Sequence, residues 1–441
     1  MTPRRFSRLS ALTALGGAAL LLAGCGSSAE PVAAQSPATE TSTSEPTSEP
    51  AAAPAACAPG EILDGLDTRA KLAQMLMVGV DGTDDAEHAV SAYGLGGIFI
   101  GGWTDDGILR GGMERVNAAA DIPPMVSIDE EGGRVARFPQ LLGHTEAPRT
   151  VGQTWTVEQT RAEAEERGAQ LREFGVTVDL APSVDVSTQP DDSVIGDRSY
   201  SDDPDEVIAY AGAFAEGMRA AGVLPVLKHF PGHGESSGDT HVGAVTVPPL
   251  DELQDRDLVP FRELIGPDTG ALVGHLQVPG LTEEGLPTSL SPATMALLRE
   301  GAGYGAEPFE GVIFTDDLSG MAAITDTYSI AEAVTLSLSA GVDVALWLST
   351  EQVPEVLDEL ERAVDDGRLP IEQVDASVTR ILTAKQFSTP CVDGVWHTEP
   401  GFDPVPGEGE APAGPEAEGP AAEGEPAAEP AEPEAESVPQ D

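Results

Sequence analysis

The sequence predicts an α/β protein built on a single (β/α)8 (TIM) barrel, residues 57–399, with a disordered N-terminal tether and a disordered acidic C-terminal tail. Three observations predict it. Between Cys57 and Pro400, eight short apolar, β-branched runs recur, each followed by a polar or Gly-rich loop and usually by a helical stretch. Each run is nearly continuous rather than alternating, the pattern of strands buried on both faces. Charged and histidine residues gather where the runs end, the side on which such a barrel carries its chemistry. A doubly wound parallel sheet uses the same β/α alternation and is the structural alternative.

In chain order the runs are Met75–Val80, Gly97–Ile100, Pro124–Ile128, Val176–Leu180, Leu224–Leu227, Ala271–Gly274, Val312–Phe314 and Val342–Leu346. Helices are expected over Val157–Phe174, Pro204–Ala221, Leu250–Leu264, Pro292–Arg299 and Ile330–Ala340. Thr156 and Asp203 stand as N-caps of the first two, with Gln159 and Glu206 at capping-box distance. The third run ends in Asp129, followed by Glu130 and Glu131. The fourth is followed by Asp185 and Asp197-Arg198, and the fifth ends in Lys228-His229. The sixth ends in His275 and the seventh in Asp316-Asp317. Loops are polar anyway, but five run ends of this kind describe one converging site.

Composition excludes several classes. The chain has 441 residues, 75 acidic against 23 basic, and a formal net charge of −52. That excludes a nucleic-acid binder resting on a basic surface, because neutralising phosphates takes clustered Lys and Arg. At 40% hydrophobic the chain is not disordered throughout, and at 5% aromatic its core must be aliphatic. Three Cys make neither a disulfide-dense scaffold nor a zinc ribbon.

The two ends read separately from the middle. Residues 1–24 read as a lipoprotein signal peptide: Arg4, Arg5 and Arg8 precede an apolar stretch, Ala11 to Ala23, too short to span a bilayer with comfort. It ends in Leu22-Ala23-Gly24-Cys25, which resembles a bacterial lipobox, so Cys25 is expected to carry a diacyl anchor to the outer face of the cell membrane. A cleaved secretory signal with an incidental Cys is the alternative. Residues 25–56 are Ala, Ser, Thr, Pro and Glu, a disordered linker. Residues 400–441 are Pro, Ala, Gly and Glu, with 12 acidic residues and no basic ones, and are expected to stay solvated. Without the leader's three Arg the charge is near −55. The tail carries −12 of it and the linker −4, so −39 belongs to the barrel itself. That surface suits a saline or polyanion-rich setting. Cys57 and Cys391 bracket the globular part. An exported protein meets oxidising conditions, and a closed barrel brings its ends together, so a disulfide between them is expected, with two free thiols as the alternative.

Lys228 is one of three Lys in the chain and closes an apolar run, where it is costly without carboxylate or hydroxyl partners. A structural ion pair at the barrel mouth is the plain reading of it. The residues that follow, Lys228-His229-Phe230-Pro231-Gly232-His233-Gly234, then four residues, then Asp239-Thr240-His241, are the sharpest signal in the sequence. His229, His233 and His241 lack the helix or the nearby Cys that a metal site of this kind uses, so no metal and no cofactor is expected. Gly232 and Gly234 fit a tight loop better than a phosphate cradle.

This segment resembles the signature of family 3 glycoside hydrolases, in their β-N-acetylglucosaminidase (NagZ-like) branch, and departs from it at Thr240, where the family has Ser. Asp129 to Phe138, Ala181 to Val186, Ile195 to Tyr200, Ser289 to Pro292 and Ile313 to Ser319 resemble further family motifs in the same order. Gly320 intervenes before Met321 and Gly301–Glu310 is irregular beside the family; otherwise the likeness runs over residues 62–388. It implies a (β/α)8 barrel and a retaining reaction with Asp316 as nucleophile, Asp317 being the competing carboxylate. It implies His241 as acid/base with Asp239 orienting it, a role suited to a group that must give and then take a proton near neutral pH. It assigns sugar contacts to Asp129, Arg137, Arg198, Lys228 and His229, the three last donating, with Glu131 and Asp197 partnering the cations. Other family members draw the acid/base from a second domain; little but the acidic tail follows residue 399 here, so the barrel itself is expected to supply it. The expected enzyme is an exo-β-N-acetylglucosaminidase acting on GlcNAc-containing muropeptides or chitin-type oligosaccharides. A β-glucosidase or phosphorylase of the same family, and an inactive sugar-binding lipoprotein, remain as alternatives.

Overall fold

The computed structural model describes residues 57–401. The expected leader, the expected anchor residue Cys25, the expected linker over 25–56 and the residues beyond Gly401 lie outside the described residues. Eight strands form one parallel sheet: β1 (Leu76–Gly79), β2 (Gly97–Phe99), β3 (Met125–Ile128), β4 (Val178–Asp179), β5 (Leu224–Phe230), β6 (Gly270–Val273), β7 (Ile313–Thr315) and β8 (Ala345–Trp347). From β1 to β7 each strand pairs with the next in the chain. β8 pairs with β1, Leu76 opposite Ala345, and a parallel bridge from Phe314 to Val344 joins β7 to the residues entering β8. The ring is therefore closed and its strand order never reverses. A doubly wound sheet requires such a reversal, so that alternative fails. Each strand falls within or overlaps one of the eight apolar runs. All their residues are buried, as befits strands with barrel interior on one side and helices on the other.

The expected helices are present over Val157–Glu173, Pro204–Ala220, Pro292–Glu300 and Ile330–Ala340. The Thr156–Gln159 capping box forms in both directions. The one expected at Asp203 does not: Asp203 accepts from the Asp205 N–H, while Glu206 accepts from the Ser201 hydroxyl at 2.6 Å. The expected Leu250–Leu264 helix is two, Leu250–Asp255 and Leu258–Leu264. It breaks at Arg256-Asp257 because the Asp257 carboxylate turns into the protein, accepts from Arg256 Nε at 3.0 Å, and lies against the Cβ-less face of Gly232.

Further helices run over Thr83–Tyr93, Gly112–Ala118, Val353–Asp365 and Ile371–Ser388. The third of these was readable. Val353, Val356, Leu357, Leu360 and Ala363 are all buried and recur at helical spacing. Beyond the last helix, Cys391 begins a short antiparallel ribbon and is disulfide-bonded to Cys57, with Cα atoms 5.4 Å apart.

Candidate active site

The C-terminal ends of the strands surround a cavity of about 310 Å3 lined by Asp129, Glu131, Arg137, Arg198, Lys228, His229, His233, His241, Asp316 and Asp317, with Phe99, Trp103, Met321 and Leu348 among the apolar members. β3 delivers Asp129, and the antiparallel ribbon that follows it, Glu130–Gly132 against Val135–Ala136, folds Arg137 back beside it. Arg137 Nη2 donates to Asp129 Oδ2 at 2.6 Å. β5 delivers both Lys228 and His229. Its register against β6 shifts between Lys228 and Phe230, which breaks the period-two alternation, and two consecutive side chains reach the cavity.

Lys228 is 3% exposed, and its ammonium is 2.8 Å from Asp129 Oδ1 and 2.6 Å from Glu131 Oε1. Arg198 grips the same Glu131 with two bonds, Nε to Oε2 at 2.8 Å and Nη2 to Oε1 at 2.7 Å. Burial pushes the Asp129 carboxyl up, but Lys228 and Arg137 outweigh it and hold the group at about 2. Burial likewise opposes ionisation of Glu131, and Arg198 and Lys228 pull it well below the carboxylate range. Burial works against the Lys228 ammonium too, yet its two carboxylates keep its pKa above the ordinary value. Mutually compensated, these charges remain ionised inside the barrel.

His229 is held from behind. Its Nδ1 donates to Asp185 Oδ2 at 2.6 Å, and its Nε2 faces Arg198 Nη2 at 3.3 Å. Arginine only donates, so in the neutral ring Nε2 turns its lone pair toward Arg198. The Nδ1 proton of His229 is thus committed to Asp185. Lys228 keeps a third N–H beyond its two carboxylates, and Arg137 Nε is buried without a hydrogen-bond partner. Asp197 also differs from expectation, since it pairs with Arg134 outside the cavity at 2.8 Å rather than with the cavity cations.

The two carboxylates after β7 are separated by their hydrogen bonds. Asp317 spends Oδ1 on the Ser319 N–H and hydroxyl (2.8 and 2.7 Å) and Oδ2 on the Gly320 N–H (2.7 Å), so it folds its own loop. Asp316 accepts only the Asp317 N–H, on Oδ1 at 2.9 Å. Among the described residues no hydrogen bond reaches its Oδ2. Burial pushes the Asp316 carboxyl up, and the facing His229 and His275, with the Asp317 N–H and Lys228, bring it below the ordinary aspartate range. Burial raises Asp317, and Ser319 does not fully offset it. His275 supports this corner. Its Nε2 donates to the Asp317 carbonyl at 2.8 Å and its Nδ1 pairs with the Ser289 hydroxyl at 2.7 Å, while burial lowers its pKa.

His241 sits at the opening, its side chain 61% exposed. Asp239 Oδ1 accepts both the His241 N–H at 2.9 Å and ring Nδ1 at 2.8 Å. Burial raises the Asp239 carboxyl, but these two donors and the ring itself together outweigh it and hold it below its ordinary value. The loop that carries this pair is seated by Gly234, where a Cβ would fall 1.9 Å from the Val186 carbonyl oxygen. Between the two residues of the pair, the Thr240 carbonyl accepts the Ala323 N–H. His233 is buried beneath it with its ring edge-on to His229. Burial and the nearby His229 push its pKa down to about 4. Among the described residues no three His, Cys, Asp or Glu side chains converge into a metal-holding cluster.

The profile of the glycosyl hydrolase family 3 N-terminal domain matches residues 67–384. A curated relative, β-hexosaminidase LpqI of Mycobacterium tuberculosis, is 50% identical over 389 residues, 86% of this chain and 98% of that protein. The chain belongs to glycoside hydrolase family 3. The solved structure of M. tuberculosis LpqI superposes with a TM-score of 0.73 at 54% identity, covering 74% of this chain and 96% of that one. A family 3 β-N-acetylglucosaminidase from a Paenibacillus species superposes with a TM-score of 0.68 at 31% identity, covering 73% of this chain and 63% of that one. This family 3 glycoside hydrolase therefore has an eight-stranded barrel with its polar cavity at the strand C-termini. All eight cavity residues singled out from the sequence cluster at that one mouth, Asp239 just behind His241. Sequence reasoning left Asp185, His233 and His275 without roles and passed over Trp103. Asp185 and His275 were visible as polar residues at strand ends, and Trp103 as an aromatic three residues past the end of a predicted strand.

Proposed function

We propose that this hydrolase is a retaining exo-β-N-acetylglucosaminidase that removes terminal non-reducing GlcNAc from cell-wall muropeptides or chitin-type oligosaccharides. We further propose that it acts as an exported lipoprotein anchored through Cys25. One observation carries the chemistry: Asp316 is an ionised carboxylate with an uncommitted oxygen in the cavity at the barrel mouth, and a His–Asp pair stands at that cavity's exposed side. The names of the relatives, β-hexosaminidase and β-N-acetylglucosaminidase, support the substrate.

Asp316 Oδ2 attacks the anomeric carbon as the glycosidic C–O bond breaks. His241 Nε2 gives its proton to the departing oxygen, and Asp239 accepts the Nδ1 proton and so keeps Nε2 as the working atom. In the second step His241 takes a proton from water, which attacks the glycosyl–Asp316 ester and frees the carboxylate with net retention. The exposed His241 ring must swing inward to reach the departing oxygen. The cluster of Lys228, Glu131 and Arg198 closes the cavity below the reacting sugar, so a chain enters by its end.

The test is turnover of p-nitrophenyl β-GlcNAc and of the β-glucoside, each with and without phosphate. Release from the GlcNAc substrate without a need for phosphate is expected. Glucoside preference moves the substrate, phosphate dependence makes the enzyme a phosphorylase, and no release from either sinks the enzymatic reading. Asp316→Ala is expected to lose at least about three orders of magnitude in kcat while GlcNAc still binds. Wild-type rates in that variant refute the nucleophile.

A further inference from the structure

Trp103 has no part in the mechanism above, yet it lines the cavity with its side chain 48% exposed, one of four large apolar side chains so exposed among the described residues. An indole in water at the edge of a polar cavity is an unfavourable arrangement unless a ligand covers it.

The ring is held in place. It lies on Gly101, where a Cβ would fall 2.2 Å from its six-membered ring, and it leans on Phe99 with centroids 5.9 Å apart. The turn that carries it is tied at several points. The Gly101 N–H donates to the Thr104 hydroxyl at 3.0 Å, and that buried hydroxyl donates to the Val80 carbonyl at the end of β1 at 2.7 Å. The Asp105 N–H donates to the Asp81 carbonyl at 2.8 Å. A rigid, half-exposed aromatic face is a preorganised surface for a flat apolar partner.

The cavity's depth says which partner. At about 310 Å3 it lies at the small end of ligand pockets and holds about one sugar unit. That unit is fixed by the charged residues at the bottom, so whatever is bonded to its anomeric oxygen lies at the rim, where Trp103 is. We propose that Trp103 is the platform on which the sugar ring of the leaving group stacks through its apolar C–H face, making it a specificity residue for saccharide over ringless leaving groups. This inference rests on the β-N-acetylglucosaminidase reading.

The experiment compares two substrates in the full chain. N,N′-diacetylchitobiose has a sugar leaving group, and β-GlcNAc fluoride has none to stack. For Trp103→Ala, kcat/KM on chitobiose is expected to fall about tenfold, mostly in KM, with kcat/KM on the fluoride within about twofold of wild type. Trp103→Phe is expected to recover most of the chitobiose value. An equal fall on both substrates, or none on chitobiose, overturns the proposal; retained fluoride turnover shows that the variant is folded. If wild type turns over neither substrate, the β-N-acetylglucosaminidase reading fails and takes this inference with it, an outcome distinct from a Trp103 variant that behaves like wild type.

Discussion

Two lysines are buried in this barrel, one at each end, and they exist in different electrical states. Lys228 at the mouth and Lys385 at the floor are 3% and 4% exposed. Lys228 touches two carboxylates and its pKa is raised. Lys385, on the helix Ile371–Ser388, reaches Gln74 Oε1 at 2.7 Å, just before β1, and burial drops its pKa to about 7. Depth is equal; the partners differ. Burial penalises a charge in both places, and only a neighbouring opposite charge reverses the outcome. The mouth thus keeps fixed charges in its cavity, while the floor tends to discharge its lysine.

The largest expected effect breaks the mouth. Lys228→Met leaves Asp129 and Glu131 facing each other without their shared cation. Stability is expected to fall by about 3–5 kcal/mol in a urea titration, with activity lost as well. A stable Lys228→Met protein would show that the two arginines alone hold the cluster.

A smaller effect sharpens the picture within the mouth. Glu130 adjoins Glu131 in sequence but has no lysine. Its Oε2 accepts the Arg137 N–H, its Oε1 is buried without a hydrogen bond, and burial lifts its pKa to about 7. Asp179, whose Oδ1 accepts the Glu130 N–H, is also raised, by burial first and by Glu130 as well. Because the folded pKa of Glu130 lies above its unfolded value, the protonated native form contributes stability that is full below about pH 4.5 and lost as pH rises through about 7. Between pH 5 and pH 8 the wild type should therefore lose on the order of 2–3 kcal/mol that Glu130→Gln does not lose. Parallel pH curves for the two proteins would assign the proton elsewhere.

The smallest effect has the opposite sign and tests the floor. The folded pKa of Lys385 lies below its unfolded value, so its cost is full below about pH 7 and fades toward pH 10. Lys385→Met leaves Gln74 Oε1 short of a donor but removes that cost. It is expected to raise stability at pH 6 by about 1–2 kcal/mol, with less gain at pH 9. Destabilisation at both pH values would mean that the Lys385–Gln74 bond outweighs desolvation.

Much of this contrast was legible before the fold was. The eight strands could be placed because a strand buried on both faces must be a continuous apolar run, a local property of sequence. Lys228 stood out because such a run seldom ends in an ammonium. Lys385 did not, because within a helix a lysine is ordinary, and only the packing of two helices at the floor buries it. The same divide explains the helices. Thr156 caps through residues three apart, but Asp257 breaks a helix through a contact with Gly232, 25 positions away in the chain.

By itself the sequence determined the barrel, the end of it that bears charge, and the identity of the polar residues there. The first two follow from periodicity and from where polar groups interrupt it, whereas Arg137, Asp239 and His241 were picked out by their resemblance to family motifs. Tertiary structure decided which carboxylate after β7 is free to react, since Asp316 and Asp317 are chemically identical and only the bonds from Ser319 and Gly320 distinguish them. It also decided that the His229 proton belongs to Asp185, and that an indole waits at the rim. Hydrogen-bond partners and exposure are set by chain segments far apart in sequence. The order of residues fixes which groups are available; their meeting in three dimensions fixes what each is left free to do.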